Sequence, residues 1–293
     1  LGVSVAEDAE QTMAAMPDAV DWLIVDHYGL DERWEPALRS HAGRIFAIDD
    51  LANRPHDCDL LLDQNYTGDG VDRYKGLVPT VCRQLLGPRF AMLHPAFQEN
   101  RPADIDEPEE SRAVGRVFVF FGGTDPDNLT GRALQALSEP DLTHLTIDCV
   151  IGANNPHQPM LTEIVEQRGN VRLHAAQPHL ADLMARADLV IGAGGTTTWE
   201  RCALGLPSIV VSIAENQRSA CEALARDGYI DYLGHHETVT APQIADAIRA
   251  LVNQTDARYL LARASADLVD GHGTQRVVES MMEMPQNPSA VCH

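Results

Sequence analysis

The sequence predicts an α/β protein built from two doubly wound, Rossmann-like domains. Three observations lead there. Short apolar runs end abruptly in polar residues, as strands of a parallel sheet covered on both faces do. Helical stretches alternate with those runs along most of the chain. An acidic, proline-rich segment at Arg101–Glu110 then divides the alternation in two. The length of 293 residues agrees, because single hydrophobic cores stop growing near ~250 residues.

In chain order, Ala6–Ala15 reads as a short helix and leads into the strand Trp22–Val25, closed by Asp26. A helical stretch at Glu32–Ser40 precedes the strand Arg44–Ile48, which ends in Asp49 and Asp50; a third strand, Leu60–Leu62, ends near Asp63, Gln64 and Asn65. Residues 1–100 are therefore expected to form an N-terminal domain and 101–112 a linker. Beyond it, the strand Val117–Phe121 is followed by the helix Leu129–Leu137, and strands are expected at Thr146–Ile151, Val171–Leu173, Leu189–Ile191 and Ser208–Val211. Helices from Ala241 onward complete a C-terminal domain over 113–285, with a frayed tail at 286–293. The first residue is Leu1, and the N-terminal domain reads as beginning in its middle.

Composition excludes several functions. Lys+Arg number 22 against 43 Asp+Glu, a formal net charge of −21 that would repel nucleic acid and acidic membrane surfaces. No apolar run approaches the ~20 residues that span a bilayer, and no signal peptide opens the chain, so a cytoplasmic protein is expected. The six cysteines form no CxxC pair and are expected as free thiols. His56, Asp57, Cys58 and Asp59 are adjacent, and neighbouring side chains on an extended chain point apart, so no metal site is expected; nor is any cofactor.

The chemistry-bearing residues gather at predicted strand ends, where open α/β sheets place ligands. Gly192–Glu200 follows a strand and opens a helix, so Gly194, Gly195, Thr196, Thr197 and Thr198 could present backbone N–H groups and hydroxyls to a phosphate. The alternative is a glycine turn that only packs helix on sheet. Glu200, one helical turn in, could accept both hydroxyls of a ribose or simply complement the helix dipole. Gly122, Gly123 and Thr124 repeat the pattern after an earlier strand, suggesting a diphosphate clamp. Asn216 and Gln217 could reach the same edge and bind a sugar, or belong to a loop. In the N-terminal half, Asp26, His27 and Tyr28 close a strand; His27 is either a site imidazole or a surface residue, while the Tyr28 phenol could orient a water. Asp49 and Asp50 could be an acid–base pair, or a cap.

Taken together, Val25–Gly29, Ile48–Asp50, Cys58–Asn65, Leu86–Phe90, Gly122–Asp125, Gly192–Glu200, Glu215–Gln217 and Asp270–Gly273 occur in the order of a known family. The chain resembles, from about Asp21 to Val278, the UDP-2,4-diacetamido-2,4,6-trideoxy-β-L-altropyranose hydrolases of pseudaminic acid biosynthesis. That resemblance implies a GT-B architecture, like that of the UDP-GlcNAc transferase that makes lipid II. It also implies metal-independent hydrolysis of the anomeric C–O bond of a UDP-sugar, with inversion. By position, Glu200 would hold the ribose, Thr124 and Gly194–Thr198 the diphosphate, and the backbone near Gln177 and His179 the uracil. Tyr28 would lie beside the anomeric carbon, with Asp26, Asn216 and Gln217 on the sugar side. The family's opening strand and GxGHxxR loop, whose histidine is its candidate base, have no counterpart here, and His27 does not replace it by position. Either a fragment or an inactive copy is expected on that account, and without that strand the N-terminal sheet is expected to expose an apolar edge. A GT-B transferase or a binding chain without catalysis are the competing functions.

Overall fold

Apolar runs buried on both sides fold here as parallel strands in two separate sheets. The protein is described by a computed structural model covering residues 2–16, 18–68, 72–103 and 113–284. It divides into two units. One holds the described residues up to Met92 and those from Gly273 on; the other holds those of Leu93–His272.

The first unit begins with helix α1 (Val5–Ala15), capped by Ser4, whose Oγ accepts from the Glu7 N–H at 3.2 Å. Strand β1 (Val20–Val25), helix α2 (Glu35–Leu38) and strands β2 (Ala42–Ile48), β3 (Leu60–Asp63) and β4 (Arg83–Leu86) follow. The helix expected over Glu32–Ser40 is shorter, Glu35–Leu38, with turns on either side of it. The sheet is parallel throughout, in the order β1-β2-β3-β4. Ile45, Ala47 and Leu61 face one buried cluster with Trp34 and Leu38. Phe46, Leu60 and Leu62 face another with Leu85 and Val277. Two covered faces explain why the strands read as unbroken apolar runs rather than alternating ones. The outermost strand, β1, leaves Ile24 54% exposed.

The second unit contains a six-stranded parallel sheet of order β10-β9-β8-β5-β6-β7. Its strands are β5 (Arg116–Phe120), β6 (Thr146–Val150), β7 (Val171–His174), β8 (Leu189–Ala193), β9 (Ser208–Ser212) and β10 (Asp231–His235). Helices α3 (Pro95–Glu99), α4 (Leu129–Ala136), α5 (Gln158–Glu166), α6 (Ala181–Met184), α7 (Thr197–Ala203), α8 (Glu215–Arg226), α9 (Ala241–Asn253) and α10 (Thr255–Leu268) accompany it. Val117, Val119, Ile147, Ile191 and Ile209 form the largest buried cluster, closed by Leu134 of α4 and Ile244 and Ile248 of α9. The chain winds outward from β5 to β7, then returns to β8 on the other side of β5. That reversal makes β5 and β8 neighbours, with Phe120 opposite Gly192, and is the topological switch point of the sheet.

The division of the chain differs from the expected one. Leu93–Arg101 belongs to the second unit because Arg101 is tied there: its guanidinium donates to Ala203 O at 2.6 Å, Val269 O at 2.8 Å and Ala266 O at 2.8 Å. The last helix, α11 (Gly273–Glu283), returns to the first unit, where Val277 fills the cluster around Phe46. Residues 104–112 of the expected linker and the expected tail at 286–293 lie outside the described residues. No helix among the described residues is long and apolar enough to cross a membrane.

Candidate functional site

The β5–β8 pairing sets the loops after these two strands side by side at the carboxyl edge of the second sheet. Close backbone packing there requires glycine. A Cβ on Gly152, in the loop after β6, would lie 1.9 Å from the carbonyl oxygen of Gly123; one on Gly194 would lie 2.2 Å from Cys221 Sγ. The loops enclose a cavity of about 250 Å³, lined by Gly123 and Gly152, by Gln177 and His179 from the loop after β7, and by Thr197 and Glu200 of α7. Apolar walls come from Phe120, Val150 and Leu180.

Two polar atoms of this cavity's lining are buried without a partner, Glu200 Oε2 and His179 Nδ1. Burial pushes the Glu200 carboxyl up to about 7, and the neighbouring Arg201 offsets this only in part. A carboxylate in this state is an acceptor awaiting donors, such as vicinal hydroxyls. The His179 ring stacks on His94, centroids 4.6 Å apart and 18° from parallel, which fixes the loop carrying Gln177.

Of the residues the sequence singled out in this half, Gly123, Gln177, His179, Thr197 and Glu200 line the cavity. Thr124 and Thr196 are exposed outside the lining, and Thr198 is turned inward, 2% exposed, its Oγ1 accepting from Arg201 at 2.9 Å. A direct ligand contact through the Thr198 hydroxyl is therefore not what its orientation offers. Gln217 Oε1 accepts from the Ile213 N–H at 2.9 Å, which leaves its Nε2 beside Gly195, and Asn216 is exposed at the start of α8. Sequence reasoning did not single out Gly152, His94 or Arg201 as site residues. Gly152 does follow a strand, as the glycines of the two recognised loops do, and that signal could have found it.

In the first unit, Asp26, His27 and Tyr28 are all exposed at the carboxyl end of β1. His27 Nδ1 accepts from the Gly29 N–H at 3.0 Å, closing its own turn. The Tyr28 phenol donates to Asp50 Oδ2 at 3.3 Å while the residue stays 62% exposed. Partial burial raises the Asp50 carboxyl, opposed by that hydrogen bond, and burial together with Asp50 raises the Tyr28 phenol. The two adjacent carboxylates thus separate in role. Asp49 is buried and structural: its Oδ2 accepts from the Ala52 N–H at 2.9 Å and the Tyr74 hydroxyl at 3.0 Å, and Arg54 pairs with it at 2.7 Å. Asp50 faces Tyr28, and its carbonyl is held by Arg73 at 3.1 Å and Asn65 at 3.3 Å.

The four adjacent candidates for metal binding diverge. His56 pairs with Glu35 at 2.6 Å, Asp57 and Asp59 with Arg39, and Cys58 lies 3.6 Å from the Cys82 sulfur. Among the described residues no group of three or more His, Cys, Asp or Glu side chains is arranged to hold a metal ion.

Comparison with known proteins places these features in a family. Residues 116–277 match the model of the glycosyltransferase family 28 C-terminal domain. The spore coat polysaccharide biosynthesis protein SpsG of Bacillus subtilis is 29% identical over 199 residues, 68% of this chain and 58% of that protein, so the chain spans little more than half of that relative. The UDP-2,4-diacetamido-2,4,6-trideoxy-β-L-altropyranose hydrolase of Campylobacter jejuni is 30% identical over 212 residues, 71% of this chain and 72% of that enzyme. Among solved structures, MurG of Acinetobacter baumannii superposes with a TM-score of 0.61 at 14% identity, covering 96% of this chain and 78% of that one. The fold is accordingly α/β of the GT-B type.

Proposed function

The chain belongs to the family carrying the glycosyltransferase family 28 C-terminal domain, and from that premise we propose that it hydrolyses a UDP-sugar at the anomeric carbon. The observation that carries the nucleotide part is the cavity at the β5–β8 switch point, with the unpartnered Glu200 carboxylate inside it. Glu200 accepts the two ribose hydroxyls. The Gly123 and Gly194–Thr197 turns meet the diphosphate with N–H groups and the Thr197 hydroxyl, which favours the leaving group as negative charge develops on it. Gln177 and His179 bound the base. Asn216, Gln217 and Asp26 are assigned to the sugar.

The hydrolytic part rests on Tyr28 and Asp50. Water attacks C1 as the C1–O bond to the diphosphate breaks, and UDP leaves with the bonding electron pair. The water proton passes to the Tyr28 oxygen as the Tyr28 proton passes to Asp50, so the phenol orients the nucleophile and the carboxylate receives the charge. The raised Tyr28 phenol keeps its proton near neutral pH, as such a relay needs. The 30% identical hydrolase supports a 2,4-diacetamido-2,4,6-trideoxyhexose as the sugar.

Incubation with the UDP-diacetamido sugar in ¹⁸O water is the test. Label in the free sugar with none in UDP agrees with attack at C1; label in UDP, or no release, ends the hydrolase proposal. The family's own description favours a second reading, transfer of the sugar to an acceptor. UDP release that an added acceptor alcohol accelerates above the rate in water would select it.

A further inference from the structure

Behind the Gly194–Thr198 turn lies a charge held in no ion pair. Arg201, the largest fully buried side chain of the described residues, is 1% exposed. Its Nη2 donates to Ala193 O at 3.0 Å and Thr198 Oγ1 at 2.9 Å, and its Nη1 to Thr197 Oγ1 at 3.2 Å. Nε has no partner. None of the ion pairs among the described residues includes it, and the carboxylate nearest in sequence, Glu200, is itself raised to about 7 by burial. A buried cation outside any ion pair is costly to a fold, so its retention calls for a compensating anion.

The hydrogen-bond directions say where that anion sits. Guanidinium nitrogens only donate, so the Thr197 oxygen must accept from Arg201, and its own proton is left to donate elsewhere. Thr197 lines the cavity. We propose that Arg201 is a positioning residue for anionic ligands: it fixes Thr197 as a donor toward the cavity and supplies the buried counter-charge that makes the site prefer a nucleoside diphosphate to the neutral nucleoside. This rests on the nucleotide reading of the second unit. Arg201 acts through the turn and through its field, without touching the ligand.

The test compares the affinities of UDP and uridine by calorimetry for the wild type, Arg201→Gln and Arg201→Lys. Both variants keep a donor toward Ala193 O, but only lysine keeps the charge. The UDP-to-uridine affinity ratio is expected to fall at least tenfold in the glutamine variant and to stay within about fivefold in the lysine variant. Equal losses for both ligands, or a lysine variant as deficient as the glutamine one, would overturn the proposal, since either marks a merely structural role. Should the glutamine variant not fold, the wild type decides alone. Its ratio is expected to hold within about threefold between 0.05 and 0.5 M salt, because a buried charge is weakly screened, whereas a tenfold collapse would assign the preference to surface charge and overturn it. A wild type that takes up neither ligand defeats the nucleotide reading itself; intact UDP uptake by both variants defeats only the role of Arg201.

Discussion

The carboxyl edges of the two sheets are built on one plan and carry opposite electrostatics. In the second unit the edge is glycine turns over a buried arginine, with the half-buried Glu200 as the one carboxylate of the cavity lining. In the first unit it is a set of carboxylates, Asp49, Asp50 and Asp63, braced by Arg54, Arg73 and the fully buried Tyr74. Parallel strands deliver loops to one edge in both cases, so the topology does not decide the chemistry. The side chains at the strand ends do: the arginine-backed edge suits a diphosphate, and the acidic edge suits neutral hydroxyls and a water to be deprotonated. If this contrast is right, substitutions on the two edges affect different measurements.

The largest expected effect is on the acidic edge. Asp50→Asn removes the proton acceptor for Tyr28 and is expected to lower turnover of the UDP-sugar by about 10²–10⁴ while UDP affinity stays within twofold. Steady-state kinetics and calorimetry on the same preparation check this. A fall in UDP affinity matching the fall in turnover would erase the division between the edges. Next, Glu200→Gln replaces a charged acceptor by a neutral one. UDP affinity is expected to drop about ten- to a hundredfold, since hydrogen bonds to charged groups are worth ~1.5–3 kcal/mol. The Asp50 variant separates chemistry from binding; this one separates binding from chemistry.

That contrast was only partly visible in the amino-acid order. Strands β2, β3, β5, β6, β8 and β9 were legible because both their faces are largely buried, which leaves an unbroken apolar run; β1 and β7 were legible from short apolar runs although much of each is half-buried or exposed. The edge strands β4 and β10 were not, because Arg83-to-Leu86 and Asp231-to-His235 are largely half-buried or exposed and alternate little. Glu200, Thr197 and Gly123 were legible as strand-end residues of glycine motifs. The pairing of Tyr28 with Asp50 was not, since it depends on β1 lying beside β2, and the two adjacent aspartates look identical until Ala52, Tyr74 and Arg54 are seen to claim Asp49. Arg201 lies one residue past the glycine–threonine motif and was not singled out. Its burial follows from α7 packing against β8 and α10, contacts that no local pattern reports.

The pH dependence sharpens the comparison further. With the Glu200 carboxyl raised to about 7, its ionised fraction grows roughly tenfold between pH 6 and pH 8, and UDP affinity is expected to rise by about that factor. The stability of the unliganded protein runs the other way. A carboxyl with a raised folded pKa binds its proton more tightly when folded, so its contribution is present below the unfolded value of about 4.5 and is lost as pH climbs through about 7. Glu200→Gln is expected to flatten both profiles, as followed by calorimetry and by urea unfolding from pH 5 to 8. A variant whose affinity still rises tenfold would locate the titrating group elsewhere.

The smallest effect is expected at His27, and it bears most directly on how the acidic edge works. His27 spends Nδ1 on the Gly29 N–H, closing the turn that presents Tyr28, whereas the hydrogen bond to Asp50 comes from Tyr28. As a turn-former its removal costs order in a two-residue loop and little else. His27→Ala is therefore expected to lower turnover by threefold or less with an unchanged pH profile, while His27→Asn, which can accept the same N–H bond, recovers even that. If His27 were instead the base, the alanine variant would fall as far as Asp50→Asn does and the asparagine variant would not recover. Measuring both variants across pH 5.5 to 8.5 decides whether the proton leaves through the tyrosine–aspartate pair or through the histidine beside it.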